Sequence, residues 1–532
     1  MPKHATPIRG LMSAPSSPSF QGRFGRMFHA LPGATFGDSV PENEANLKVL
    51  SKAMEGPDDN AKDGMDDEES AIPSLYTYFG QFIDHDLTFD PNSSLQKQND
   101  PDALTDYRSP AFDLDCVYGR GPDDQPYLYD GKKFFAGKKL TNGAMDKVGA
   151  TDLLRNPLND RAIIGDPRND ENTIVSQFQG LVQRFHNRLM TDEGMSFADA
   201  QQTMRFHYQY VILHDFLPRI IHVNTLNKLK NGGHFEEGKL EFYHWRNNPF
   251  MPVEFSGACY RFGHSMVRPG YRLNDHPDNL LSIFPQLVGF GSVQEPFALD
   301  WGRFIDVEKR KGDDSSDAVK MKRLQFAYRI DTSLVEPLAN LPTKVADMPP
   351  ISLGERNLVR GWTLGLPNGQ AVAKAMGIIP LKDSEIIIGQ ALNPDKLPLP
   401  NPDIITAVGN AASKMAIDEL LKVNPNATDA EKKVVGDAAK VQPMKTFKEN
   451  CPLWTYILAE AMHHVHAMDI PTLEGGKVNT PQLGPVGGRI VAEVFLGLMY
   501  ADQNSMLNLD RLWHPVMGDY KLKDFVNYAL GN

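Results

Sequence analysis

From Ile72 onward, apolar residues recur at spacings of three and four in long stretches interrupted by Pro- and Gly-rich segments, whereas strict alternation is scarce and short. The pattern predicts helices over roughly 73–89, 172–192, 196–214, 255–268, 369–376, 403–423, 450–466 and 485–500, hence a mainly α fold. Residues 1–71 differ in texture. They are rich in Pro, Ser, Gly and acid, end in "EGPDDNAKDGMDDEES", and are expected to form an N-terminal arm, partly extended or disordered. The acidic run fails the EF-hand pattern because Ala61 stands where an oxygen ligand is needed ahead of Gly64. No internal repeat is visible, and the breaks at "NPDKLPLPNPD" and "KVNPNATDAEKK" read as loops, so residues 72–532 are expected to form one large domain.

Composition narrows the function classes. With 41% apolar and 23% charged residues in 532, the chain has the balance of a soluble globular protein. No apolar run reaches the roughly 18–20 residues of a membrane span. The N-terminus carries basic residues without an apolar stretch behind them, so no secretory signal is expected and the cytoplasm is the default compartment. Cys116, Cys259 and Cys451 are odd in number and far apart, which argues for buried thiols rather than disulfides or a zinc site. A net charge of −12 disfavours nucleic acid as a partner and leaves a small molecule as the better expectation. Oligomeric state is left open.

Four stretches carry candidate chemistry. In "YFGQFIDHDLTFD", starting at Tyr78, helical spacing puts Gln81, Asp84 and His85 on one face and turns Asp86 elsewhere. Polar groups flanked by Phe79, Phe82, Ile83 and Leu87 need partners. In "GDPRNDENTIVSQFQGLVQRFHNRL", Arg168 and Glu171 precede an amphipathic helix that Asp170 is placed to cap. "FSGACYRFGHSMVRP" sets Arg261 and His264 three apart, and "ERNLVRGWTLGLP" does the same for Asn357 and Arg360. Taken singly, each stretch has an ordinary structural reading. A metal phosphohydrolase, with the "HHVH" histidines His463, His464 and His466 as further ligands and His463 and His466 on one helix face, is a local alternative.

Taken together and in order, the four stretches resemble the animal-type haem peroxidases of the peroxidase/cyclooxygenase superfamily, over roughly residues 72–500, with "GQFIDHD" the most specific motif. The resemblance implies a large α-helical domain holding haem b between a distal and a proximal side. It makes His85 the distal base, Gln81 its neighbour and Arg168 the distal arginine that favours peroxide heterolysis. Asp84 and Glu171 match carboxylates that form ester links to the haem; Asn172 stands where a further methionine link is known, so that link is not expected. His264 matches the proximal iron ligand, Asn357 the acceptor of its other ring N–H, and Arg360 an arginine near a haem propionate. Arg261 faces the haem from the proximal side. In "SPAFDLDCVYG", the side chains of Ser109, Asp113 and Asp115 and the carbonyl of Ala111 match a calcium loop completed by Asp86, with Asp115 in place of the more usual serine.

The implied activity is reduction of hydrogen peroxide and oxidation of halide, thiocyanate or small aromatic donors through an iron-oxo intermediate. Two alternatives stand beside it. One is a haem fatty-acid dioxygenase or cyclooxygenase-like enzyme; Arg261 occupies the position of its radical tyrosine, and Tyr243 in "FYHW" lies too far upstream. The other is a non-catalytic haem protein, which has no need of Gln81, His85 and Arg168. Missing disulfides and "RGWTLG" in place of an RDHG-type segment suggest a bacterial-type relative.

Overall fold

A computed structural model of the chain describes residues 22–57, 66–89, 105–140, 150–245, 249–276, 278, 280–312, 322–346, 348–392, 400–516 and 518–531. The longer helices are α1 Val40–Ala53, α2 Leu75–Leu87, α3 Thr173–Thr191, α4 Phe197–Val211, α5 Leu353–Thr363, α6 Gly369–Ala375, α7 Ile404–Val423, α8 Asp429–Thr446, α9 Leu453–Ala461, α10 Gly487–Ala501 and α11 Leu522–Leu530. Strands are short and pair locally. Strand β1 (Gly22–Gly25) runs between β3 (Thr105–Asp106, antiparallel) and β4 (Met251–Pro252, parallel). Strand β2 (Glu69–Pro73) pairs antiparallel with β5 (Phe326–Tyr328), and β6 (Val465–Asp469) with β7 (Lys477–Pro481).

Helix α2 is buried along almost its whole length, because its aromatic residues meet others edge-on. The Phe82 and Phe178 rings are 5.2 Å apart and those of Phe79 and Phe216 5.5 Å, both T-shaped, so the quadrupoles favour the contact. Pro73 closes β2 rather than opening α2, whose N-cap is Ser74. Just upstream, the fully buried Glu69 carboxylate binds both Arg268 and Arg323, the latter with one contact of 3.0 Å. Arg268 lies four residues beyond His264. This buried triad therefore ties the strand that feeds the His85 helix to the segment that carries His264. Deleting Glu69 would strand two buried cations, a change that costs several kcal/mol.

Several expectations need correction. Residues 255–268 are not one helix: a turn of α-helix, Val253–Gly257, breaks at Ala258 and continues as a 3₁₀ segment, Cys259–His264. Helix α9 ends at Ala461, and His466 lies exposed in β6, so His463 and His466 share no helix face. The stretch 196–214 leaves α-geometry after Val211 for a π turn, Ile212–Phe216. Within the expected N-terminal arm, α1 is a capped helix whose Leu47 and Leu50 are buried where it meets α5 and α7. Its sequence is too polar for periodicity to reveal it. The same holds for α8, which starts in a Thr428–Glu431 capping box and keeps only Gly436 and Pro443 buried against α7. Residues 58–65 of the acidic run, including the EF-hand positions tested above, lie outside the described residues. All three cysteines are buried free thiols.

On α3, His186 is enclosed by Tyr118, Phe134 and Phe197, whose ring centroids lie 5.3, 5.2 and 5.1 Å away. Burial pushes its imidazole down to about 4, with a small opposing pull from the Lys132 carbonyl. A ring kept neutral by folding stabilises fully above its unfolded pKa near 6.5, and that contribution is lost as pH falls toward 4. The difference corresponds to about 3 kcal/mol. His186→Phe is expected to flatten the fall in stability between pH 7 and pH 4.5, read from urea midpoints at the two pH values.

Candidate active site

A cavity of about 390 Å³ opens between α2 and the Cys259–His264 segment. From α2 it receives Gln81, Asp84 and His85; from the turn before α3, Arg168, Glu171 and Asn172; from the facing side, Arg261 and His264. Residues expected to act together, from Gln81 to His264 in sequence, thus share one cavity.

The His85 ring is buried and oriented. Its Nδ1 meets the Asn169 side-chain oxygen at 2.7 Å, and the Asn169 amide nitrogen in turn donates to Gln179 Oε1 at 2.9 Å. With the Asn169 oxygen facing the ring, Nδ1 is the nitrogen that donates, and Nε2 is the nitrogen turned to the cavity. Nε2 lies 3.6 Å from Glu171 Oε1. Gln81 donates to the same Glu171 oxygen and accepts from Asn172 Nδ2 at 3.2 Å. Asn169 and Gln179 were missed in the sequence, where amides carry no distinguishing pattern. Asp170 does not cap α3. Its carboxylate binds Arg155, at 2.6 Å to NH1, and Asn172 caps the helix through Ile174 and Val175.

Arg168 is held on both sides. Nε and NH2 reach the two Asp166 oxygens at 3.1 and 2.8 Å, NH2 also donates to the His85 carbonyl at 3.0 Å, and the guanidinium sits 4.6 Å from the Phe89 ring centre. Burial works against its charge, but Asp166 more than compensates and raises its pKa. Asp166 also binds Arg108 at 2.9 Å, and Arg108 reaches Asp115 at 3.6 Å. An ion-pair chain therefore runs from Asp115 through Arg108 and Asp166 to Arg168.

Asp86, turned away from the cavity, meets Asp113 and Asp115, and one ligand oxygen from each lies within 4.8 Å of the others. Among the described residues this is the one cluster of three or more such ligands; the histidines at 463–466 form none. Leu114, between the two aspartates, adopts the left-handed φ of 60°, and its N–H donates to Asp86 at 3.3 Å. Asp86 Oδ1 and Asp115 Oδ1 are buried without a partner. Burial, reinforced by Asp113 and Asp115, pushes the Asp86 carboxyl up; burial also takes Asp115 to about 7 against the opposing Arg108 charge. Ser109 donates to Asp113 at 2.9 Å, and Ala111 is buried in the same turn.

Across the cavity, burial, then the Arg261 charge, pushes His264 down to about 3, so its ring is neutral. Nδ1 lies 2.7 Å from the Asn357 side-chain amide on α5, whose other end receives Arg261 NH1 at 3.5 Å. The amide presents Nδ2 to the ring. A half-turn about its Cβ–Cγ bond exchanges oxygen and nitrogen at these positions and makes Asn357 the acceptor that an Nε2 metal ligand requires. Arg360, one turn along α5, does not line the cavity; Arg356 does.

Residues 107–286, which contain the Asp113/Asp115 turn, Arg168, Glu171 and His264, match the model described as animal haem peroxidase. The match covers about a third of the chain and shows what this segment is similar to. The chain is 24% identical over 223 residues to the chorion peroxidase of Drosophila melanogaster, covering 40% of this chain and 26% of that protein. It is also 24% identical over 227 residues to the dual oxidase of Drosophila melanogaster, covering 41% and 13%. The chain thus spans about a quarter or less of these curated relatives. Peroxidase A from Dictyostelium discoideum shares the fold, with a TM-score of 0.55 at 14% identity over 96% of this chain and 94% of that one.

The residues fit the groups such a domain implies. A neutral imidazole facing an apolar-walled cavity, with a second histidine opposite, suits haem, and three close carboxylates with two orphaned buried oxygens suit a hard divalent cation.

Proposed function

We propose that the chain binds haem b in this cavity and acts as a peroxidase, reducing hydrogen peroxide to water at the expense of small anionic or aromatic donors, halide and thiocyanate among them. The observation that carries the reading is the pair of histidines facing each other across the cavity, each with its Nδ1 against an asparagine side chain. When bound, haem supplies the electron exchange with peroxide. His264 is the proposed iron ligand, with Asn357 holding its other nitrogen.

His85 Nε2 would take a proton from one oxygen of hydrogen peroxide and return it to the other, which would leave as water. Its Nδ1–H bond to Asn169 keeps the ring in the tautomer this needs. Arg168 contributes fixed positive charge where negative charge develops, and Asp166 keeps that guanidinium in place. Asp84 and Glu171 line the cavity and would supply the carboxylates for the proposed ester links to the haem. Arg261 adds positive charge on the proximal side and favours anionic donors. Asp86, Ser109, Ala111, Asp113 and Asp115 are proposed to hold calcium. Tyr243 lies outside the cavity lining, with its hydroxyl donated to the Phe250 carbonyl at 2.7 Å, which favours peroxidase over the dioxygenase reading.

The test is the optical spectrum of the protein purified after expression with ample haem supply. A Soret band that shifts on addition of stoichiometric peroxide supports the reading, and absence of haem overturns it. His264→Ala is expected to reduce bound haem per chain at least about tenfold, measured by pyridine haemochrome. Haem that stays with the chain after acid–organic extraction supports the links through Asp84 or Glu171.

A further inference from the structure

We propose that Arg356 binds a propionate of the haem and sets the orientation of the cofactor in the cavity; the proposal rests on the haem reading above. Three arginines line the cavity, and they are committed differently. Arg168 has both oxygens of Asp166. Arg261 donates through Nε to the Ser256 carbonyl at 2.9 Å and turns NH1 toward Asn357 behind His264. Arg356 uses NH1 on two backbone carbonyls, Met348 at 3.1 Å and Pro350 at 3.0 Å, and meets no carboxylate among the described residues.

Haem is an amphiphile with an apolar macrocycle and two carboxylates on one edge. The cavity wall near Arg356 has the matching character: Leu353, one turn earlier on α5, lines it together with Val267, Phe284, Leu338, Leu341 and Val345. An apolar wall ending in a cation without a carboxylate is built for such a molecule. Two carbonyls on one terminal nitrogen hold the guanidinium plane and leave its remaining N–H groups for a carboxylate, the geometry in which arginine binds most strongly. Arg360, which the family resemblance puts near a propionate, does not line the cavity, and Arg356 is the α5 cation that does. The ordinary role for the two carbonyl contacts is a clasp on the 348–350 turn, so the test must separate clasp from anchor.

The full chain, produced under haem limitation, is titrated with haemin and separately with haemin dimethyl ester, whose propionates carry no charge, following the Soret band. The wild-type chain is expected to prefer haemin by about tenfold or more, the range of a charge-assisted hydrogen bond. Arg356→Gln should bring the two affinities to within about threefold of each other, Arg356→Lys should restore part of the preference, and Arg360→Gln should retain it. The preference is a ratio within one sample, so partial loss of folded protein leaves it unchanged. A variant that loses affinity for both ligands equally reduces Arg356 to a clasp and overturns the proposal, as does loss of preference in Arg360→Gln alone. A wild-type chain that binds neither ligand overturns the haem reading itself.

Discussion

Replacing His85 by alanine is expected to slow the reaction with hydrogen peroxide by roughly 10²- to 10⁴-fold, the usual contribution of a positioned acid–base group, while haem content stays at the wild-type level. Stopped-flow decay of the resting Soret band gives the rate, and the pyridine haemochrome gives the content. The two readouts separate because His85 and His264 reach the cavity from opposite sides and only His264 is assigned to the iron. The size of the effect follows from the local geometry. The ring is buried, its Nδ1 is committed to Asn169, and Nε2 has Glu171 Oε1 at 3.6 Å but no hydrogen-bond donor. The other imidazole lining the cavity, His264, faces it from the opposite side and has its Nδ1 against Asn357. Arg168 cannot substitute, since Asp166 beside it raises its pKa and leaves it no proton to exchange near neutral pH. A His85→Ala chain that consumes peroxide at close to the wild-type rate would remove His85 from the mechanism.

The helix positions α2, α3 and α10 were legible from apolar periodicity because each buries a continuous apolar face, and α7 because apolar residues recur along it although only its first half is buried. Helices α1 and α8 were not, since their stability comes from caps and a few contacts rather than from a stripe. At the site, local spacing placed Gln81, Asp84 and His85 on one face, but only resemblance linked them to residues near 170, 264 and 357. Long-range convergence has no signature in spacing. The amides of Asn169 and Gln179 were invisible for a further reason: their role depends on which neighbour each end of the amide meets, and that is a property of packing. That Arg356 and not Arg360 lines the cavity is likewise invisible in sequence, because the two lie one turn apart on the same helix and sequence does not say where the cavity ends.

The unusual Asp115 acquires a reason from its surroundings. A divalent ion among Asp86, Asp113 and Asp115 leaves one negative charge in excess, and Arg108, 3.6 Å from Asp115, supplies the balancing positive one. Arg108 then shares Asp166 with Arg168. Occupancy of the proposed calcium site is therefore coupled electrostatically to the cation beside His85, and covalently through Asp86, the residue next in sequence.

Chelation is accordingly expected to lower both stability and rate. Without a cation, each carboxylate pair within 4.8 Å repels by roughly 3–4 kcal/mol at an effective dielectric near 20, unless the carboxyls protonate. With calcium at about a hundred times its dissociation constant, linkage predicts stabilisation of about 2.7 kcal/mol, which corresponds to a melting temperature several degrees higher. Dialysis against a calcium-selective chelator should remove that increment, and readdition of calcium, but not of magnesium, should restore it; magnesium demands a stricter octahedron than a three-carboxylate turn provides. Asp86→Asn should abolish the response to calcium. The peroxide reaction should slow in the chelated protein at unchanged haem content, because Asp86 is the neighbour of His85 and the Asp115–Arg108–Asp166 chain ends on Arg168. A melting temperature and a peroxide rate both indifferent to chelation would show that Asp86, Asp113 and Asp115 hold no ion, and that the two orphaned oxygens are satisfied by protonation instead.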